Sequence, residues 1–201
     1  MKLQSDYRFL GFLGAIAFTV LLPTIAQAHP GHIEGAGGWV AGFSHPLNGW
    51  DHILAMVAVG LWAAQLGGPA VWTMPLVFVA VMAGSAAIGA MTGPLPWVEQ
   101  GIILSDLILG GLVLAATRLP IRRGLLIVAI LAGFHGYAHG AEMPQMASAF
   151  SYGTGFVMAT ALLHGIGLGL AFMLKNPMMV RLAGGAIGVG GGYMLLQGMI
   201  G

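Results

Sequence analysis

Residues 121–142 read IRRGLLIVAILAGFHGYAHGAE, and this stretch decides the fold class. Two arginines stand near its beginning, a run of apolar residues follows, and histidines appear only near its end. The hydrocarbon core of a bilayer is about 30 Å thick, and an α-helix rises about 1.5 Å per residue. A run of roughly 20 apolar residues therefore crosses the membrane, and the sequence predicts a transmembrane helix from Ile121 to Ala141.

The whole chain has the composition of a membrane protein. It is 58% hydrophobic and 6% charged, whereas soluble domains carry about 25% charged residues. So few charges cannot cover a water-exposed surface, and Gly and Pro clusters divide the chain into apolar segments. We therefore predict an all-α polytopic membrane protein with about six transmembrane helices after a cleaved N-terminal signal peptide. The transmembrane domain of residues 49–201 has predicted spans at about 49–66, 70–91, 97–117, 121–141, 147–174 and 178–200.

The first 28 residues have the layout of a secretory signal peptide. Basic residues come first, an apolar run covers residues 9–22, and Ala26-Gln27-Ala28 offers a small-x-small cleavage site. The alternative is a retained first membrane helix. Cleavage after Ala28 would leave a periplasmic N-terminal segment of residues 29–48, in which His29 and His32 are candidates for metal capture.

The basic residues of the mature chain predict its orientation. They flank only the third-to-fourth and fifth-to-sixth connections: Arg118, Arg122, Arg123, Lys175 and Arg181. Because Lys and Arg gather in cytoplasmic loops, we predict a multi-pass protein of the bacterial inner membrane with a periplasmic mature N-terminus. The net charge of +1 provides no basic patch for nucleic acid, and the chain lacks a nucleotide-binding phosphate loop.

Ionisable residues gather at the predicted outer ends of two spans. His45 precedes the first span, Asp51 and His52 lie in its first turn, and Met56 lies one turn deeper on the face of His52. Pro46 and the glycine at position 49 favour an irregular entry into this span. An ionisable group inside a bilayer costs several kcal/mol unless it is paired, hydrated or bound, so these residues indicate a functional site.

The fourth span carries the second group at the same end of the membrane. His135, His139 and Glu142 stand at i, i+4 and i+7, which places them on one helix face. Together the two groups could supply four or more ligands to one metal ion. A donor set of imidazole and carboxylate suits zinc, copper, nickel and iron better than magnesium or calcium. This donor set alone does not discriminate among the four transition metals. With no cysteine in the chain, thiolate ligation is excluded.

Two further polar residues are predicted to lie deeper in the membrane. Asp106 in the third span is a candidate for orienting a histidine, or for a neutral carboxyl paired with Ser105 or Ser85. His164 in the fifth span is a candidate for a later metal-binding position toward the cytoplasm, or for a hydrogen-bonded packing residue.

Two sequence motifs resemble those of a known family. They are HPxxGxDHxxxMxxVGxWA at residues 45–63 and FHGxAHGxE at residues 134–142. Both are similar to motifs of the HupE/UreJ family of nickel permeases, and the resemblance extends over essentially the whole mature chain. It implies uptake of Ni²⁺ or Co²⁺ for the maturation of hydrogenase or urease. The positions to which the resemblance carries a functional role are His45, Asp51, His52, His135, His139 and Glu142.

Two other functions stay open beside the permease. A membrane sensor or assembly subunit would bind the ion without transporting it. An intramembrane metallohydrolase would activate water on zinc, although the chain has no His-Glu-x-x-His motif. We predict a permease and not an enzyme, with the metal ion as substrate and no permanently bound cofactor. Its other partner is the lipid bilayer, and metallochaperones and a second copy of the chain are further candidates.

Overall fold

The computed structural model describes residues 38–144 and 147–200. The predicted signal peptide and the predicted metal capture by His29 and His32 fall outside these residues. The described chain is all-helical, without a strand. Its seven helices are α1 (Gly38–Asn48), α2 (Trp50–Leu66), α3 (Ala70–Thr92), α4 (Val98–Leu114), α5 (Ile121–Ala141), α6 (Ala149–Leu174) and α7 (Pro177–Ile200).

The helices confirm a multi-pass membrane protein. Helices α3, α5, α6 and α7 are each long and apolar enough to cross a bilayer. Helix α2 is apolar but has 17 residues, and α4 also has 17. The bounds of α2 to α7 lie within three residues of the predicted spans. That α2 and α4 also cross the membrane, which would make six spans, stays a prediction.

Helix α1 is the element that the sequence analysis did not predict. Residues 38–48 belong to the segment assigned to the periplasm, and Pro46 lies inside the helix. Of the two residues predicted to make the entry irregular, only Gly49 lies outside a helix. Its extended backbone separates α1 from α2. Both helices pack along α6 in chain order, because Gly42 faces the main chain of Tyr152 and Gly60 faces that of His164. Helices α1 and α2 therefore behave as two halves of one interrupted helix.

Close contacts between main chains hold the helices in pairs. A Cβ atom on Gly136 of α5 would overlap the carbonyl oxygen of Met82 on α3, and one on Gly140 would overlap that of Ala86. A Cβ on Gly60 of α2 would overlap the carbonyl oxygen of His164 on α6. Small residues permit this approach, which drives helix association in lipid. Each of these two pairs includes at least one helix that carries a predicted histidine.

The chain direction places the predicted ligands at one end of the bundle. Helices α2, α4 and α6 begin there, and α3, α5 and α7 end there, because the contacts of α3 with α5 run parallel and those of α4 with α7 run antiparallel. We call this the histidine end. Arg122 and Arg123 lie at the start of α5, at the opposite end.

The contact between α5 and α3 makes a specific prediction about stability. We expect Gly136→Ala to lower Tm in detergent, because a Cβ there would push against the main chain of Met82, and overpacking costs about 1–3 kcal/mol. The matched control is Gly133→Ala on the same helix, where a Cβ would meet nothing within 4 Å among the described residues. Equal Tm values for the two variants would contradict the proposed role of the contact.

Candidate metal site

The break at Gly49 positions the first group of ligands. His45 lies in the last turn of α1, and Asp51 and His52 lie in the first turn of α2. A Cβ on Gly49 would stand 2.7 Å from Asp51 Oδ1 and 2.9 Å from His52 Nδ1. The absence of a side chain at this position lets the acidic and imidazole groups fold back over the break.

Asp51 fixes the orientation of the His52 ring. Its Oδ1 accepts hydrogen bonds from the main-chain N–H of His52 at 2.8 Å and from His52 Nδ1 at 2.7 Å. An ionised carboxylate can only accept, so Nδ1 carries the proton of a neutral His52 ring, and in that tautomer Nε2 has the free lone pair. Nε2 is buried and has no hydrogen-bond partner among the described residues. His52 therefore presents the nitrogen that a metal ion requires.

Helix α5 supplies two more imidazoles in a similar state. His135 Nδ1 lies 3.0 Å from the carbonyl oxygen of Leu131, to which it donates when protonated, leaving Nε2 unpartnered within the described chain. Neither ring nitrogen of His139 has a hydrogen-bond partner among the residues described. Both side chains are buried. An unsatisfied buried polar group costs about 1–3 kcal/mol of folding free energy. The burial of these nitrogens therefore does not stabilise the fold and indicates another role.

The four imidazoles form one continuous cluster. The ring centre of His139 lies 4.4 Å from that of His52 and 4.6 Å from that of His45. The ring centres of His52 and His135 are 5.3 Å apart. Two imidazoles that bind one ion through bonds of about 2.1 Å have ring centres roughly 4.5–5.5 Å apart. The spacing of the rings therefore suits a shared ion.

The side chains of the cluster, however, are not arranged as a ligand set for one ion. Neighbouring rings are inclined by 68° for His52 and His139 and by 76° for His45 and His139. Within the described residues, no three His, Asp or Glu side chains are arranged to hold a metal ion. Binding of one ion through three or more of these side chains therefore requires side-chain rotation.

Glu142 closes the cluster at its exposed edge. Its Oε2 lies 3.0 Å from His45 Nε2, and this pair joins the end of α5 to α1. The hydrogen bond from His45 is the main cause that lowers the pKa of Glu142 below its usual range, against the opposing effect of partial burial. The carboxylate at the edge of the cluster therefore stays ionised and attracts cations.

The structure thus brings together the six positions to which the family resemblance gives a functional role. The deeper candidates lie outside this cluster. Met56 is completely buried in the apolar core. Asp106 is buried where α4 meets Gly191 of α7, and its two oxygens have no hydrogen-bond partner among the described residues. The suggested serine partners bond elsewhere, since Ser105 donates to the Ile102 carbonyl and Ser85 to the Gly133 carbonyl. His164 is buried beside the ring of Phe78.

Three aromatic residues of the site were missed from the sequence. The Phe156 ring centre lies 3.8 Å from that of His139, and Tyr152 lies 6.1 Å from His45. Phe78 contacts the ring of His135 at 5.4 Å. Phe78 stands in an apolar stretch of α3, and the stretch of α6 around Tyr152 and Phe156 has no ionisable residue except Tyr152 itself, so no local pattern marks the three. Only the packing of the helices identifies them.

The described chain is a multi-pass helical membrane protein that holds a row of imidazoles flanked by carboxylates at one end of the bundle. The chain belongs to the HupE/UreJ family, since the family model described as HupE / UreJ protein matches residues 16–194. It is 46% identical over 179 residues to Protein HupE of Rhizobium leguminosarum bv. viciae, covering 87% of this chain and 92% of that relative. No solved structure matches the chain.

The bond between Asp51 and His52 predicts a graded effect on metal affinity. We expect Asp51→Ala to weaken Ni²⁺ binding by about 10–100-fold, as is usual when the partner that orients a metal-binding histidine is lost. The affinity of Asp51→Asn should lie between those of Asp51→Ala and the wild type, because the Asn amide oxygen can still accept a hydrogen bond from His52 Nδ1–H. Titration calorimetry on the purified protein measures both. Wild-type affinity in Asp51→Ala would exclude the role assigned to this bond.

The pair of His45 and Glu142 predicts a small dependence of stability on pH. Because the pKa of Glu142 is lowered in the folded protein, the pair stabilises above the ordinary carboxyl pKa of 4.5 and loses this effect as the pH falls through the folded-state pKa. We therefore expect Glu142→Gln to lower Tm slightly at neutral pH and not in acid. The effect is small because both groups are partly exposed. A Tm difference that persists unchanged in acid would contradict this assignment.

Proposed function

We propose that the protein is a permease that takes up Ni²⁺, or Co²⁺, from the periplasm into the cytoplasm for the maturation of hydrogenase or urease. The observation that carries the proposal is the group of buried imidazole nitrogens, which lack hydrogen-bond partners among the described residues and lie beside two carboxylates. Buried polar groups are normally satisfied, and groups kept unsatisfied suit a ligand that arrives and leaves.

Exposure decreases in steps from the carboxylate edge into the bundle. The exposed fraction of the side chain is 47% for Glu142 and 31% for His45. The exposed fraction of the whole residue is 1% for His139 and zero for His135. An ion that enters at the carboxylates can thus exchange its waters for imidazole nitrogens one at a time. Such a gradient favours a route into the membrane over an isolated structural site.

The donor set supports a borderline transition metal as the substrate. Imidazole and carboxylate groups suit nickel, cobalt and zinc, whereas magnesium and calcium prefer oxygen ligands. Affinity alone ranks nickel above cobalt and below copper. Membership of the HupE/UreJ family favours nickel among these ions.

The interrupted helix is a second observation in favour of transport. Discontinuous membrane helices form the substrate sites of many transporters, because the break frees groups inside the bundle. Here the break at Gly49 lies between His45 and the pair of Asp51 and His52. The Asp51 carboxylate stands at the N-terminus of α2, where the helix dipole stabilises a negative charge.

The direction of transport follows from the proposed orientation in the inner membrane. The arginines at the start of α5 mark the cytoplasmic side by the positive-inside rule, so the histidine end faces the periplasm. A cation gains about 2.3 kcal/mol per charge for each 100 mV of inside-negative potential. A divalent ion can therefore be drawn inward without nucleotide hydrolysis.

Metal accumulation in reconstituted vesicles tests the proposal. We expect the wild type to accumulate Ni²⁺ under an inside-negative potential, and His139→Ala to reduce the initial rate by about 10-fold or more through loss of a ligand. Phe172→Ala, on an exposed part of α6, is the control for insertion and should transport as the wild type does. Zinc and cobalt in the same assay establish the preference.

The alternative functions give different results in this assay. Nickel binding without any accumulation by the wild type would support a sensor or assembly subunit instead of a permease. Equal accumulation by the wild type and His139→Ala would show that the histidine cluster is not on the route.

A further inference from the structure

The ring of Phe78 contacts one histidine of the cluster and one deeper histidine. Its ring centre lies 5.4 Å from that of His135 and 4.9 Å from that of His164. The planes are inclined by 61° and 83°, so both contacts are of the edge-to-face kind. Phe78 has no exposed surface. One buried aromatic side chain thus lies against both imidazoles.

His164 lies well below the histidine end. Its carbonyl oxygen faces Gly60 of α2, eight residues beyond His52. Eight residues of helix correspond to about 12 Å along the bundle. Both nitrogens of the His164 ring are buried without a hydrogen-bond partner in the described part of the chain. His164 is outside both sequence motifs, yet it has the same unsatisfied state as the histidines of the cluster.

The main chain on either side of Phe78 is held in place. Gly136, next to His135, packs against Met82 on the helix that carries Phe78. Gly60 packs against His164 itself. Since main-chain contact leaves these helices little room to shift, rotation of the Phe78 side chain is the simplest way to join the two histidines.

The neighbours of Phe78 can accommodate such a rotation. Met74 and Met82 stand one turn before and one turn after Phe78 on the same face of α3, and both are completely buried. Methionine is unbranched and fills irregular space by changing its torsion angles. A flexible side chain on each side of the ring can therefore give way when the ring turns.

From these contacts we propose that Phe78 is the barrier on the ion route and that His164 is the next ligand beyond it. The proposal rests on the proposed entry of the ion at the histidine end. In the closed arrangement the ring blocks contact between His135 and His164. When the ring turns aside, the ion passes from the cluster to the nitrogen of His164.

Thiol accessibility tests the barrier independently of transport. The chain has no cysteine, so His164→Cys introduces a single reactive thiol. A small cationic methanethiosulfonate reagent is added from the histidine end of the purified protein in vesicles, and intact mass reports modification. We expect slow modification with Phe78 present, and modification at least about 10-fold faster when Phe78→Ala or Phe78→Leu is added to His164→Cys.

The controls keep this experiment decisive. Glu142→Cys, at the exposed edge, should react rapidly with the reagent whether position 78 is Phe, Ala or Leu. Size-exclusion profiles identify variants that do not fold. Phe78→Leu removes less volume than Phe78→Ala and serves if the latter fails to fold. If the thiol of His164→Cys is modified at the same rate with and without Phe78, Phe78 is not a barrier, whether that rate is fast or slow.

Transport by single variants tests the position beyond the barrier. We expect His164→Ala to lower the Ni²⁺ uptake rate by about 10-fold and to leave calorimetric binding at the cluster unchanged. Phe78→Trp, with a larger ring, should slow uptake in the same way without a loss of binding. If the wild type transports and both variants match it, the barrier and the His164 step are wrong. If the wild type does not transport, the proposed function fails, while the thiol result still decides whether Phe78 is a barrier.

Discussion

The structure depends on contacts between main chains at glycine residues. Lipid solvates an apolar helix as well as another helix does, so association in a bilayer relies on close packing. Here the closest contacts involve Gly136 beside His135, and Gly60 against His164. The same contacts that hold helices together therefore determine where the imidazoles stand. A change that loosens the packing would also disturb the spacing of the cluster.

The cluster combines fixed main chains with side chains that still have to move. The rings of His52 and His139 are close enough to share an ion, but no three His, Asp or Glu side chains of the described residues are arranged to hold one. A site already shaped around its ion would hold that ion tightly and release it slowly. Imidazoles that must rotate to bind pay part of the binding free energy for their reorganisation, which weakens retention.

Much of the fold and the site could be predicted from the sequence, because their signals are local. Apolar runs of the right length gave the helices, and the spacing of His135, His139 and Glu142 placed them on one face. Helix α1 was missed because Pro46 and Gly49 both suggested an irregular segment. Only the packing of these residues on α6 explains why they form a helix. The suggested serine partners of Asp106 were wrong because Ser105 bonds to a carbonyl one turn earlier in its own helix, and Ser85 bonds to a carbonyl of the neighbouring helix α5. Phe78 and Phe156 carry no chemical signal in the sequence, so their roles appear only when distant helices meet.

The position of the chain ends has a practical consequence. Gly38 lies beside the start of α6, and α7 finishes at the same end of the bundle, so both ends of the described chain lie at the histidine end. A polyhistidine purification tag joined after α7 would place extra imidazoles near the histidine cluster and compete for a metal ion in a titration. A tag that does not bind metals, or one removed by a protease before titration, avoids this artefact.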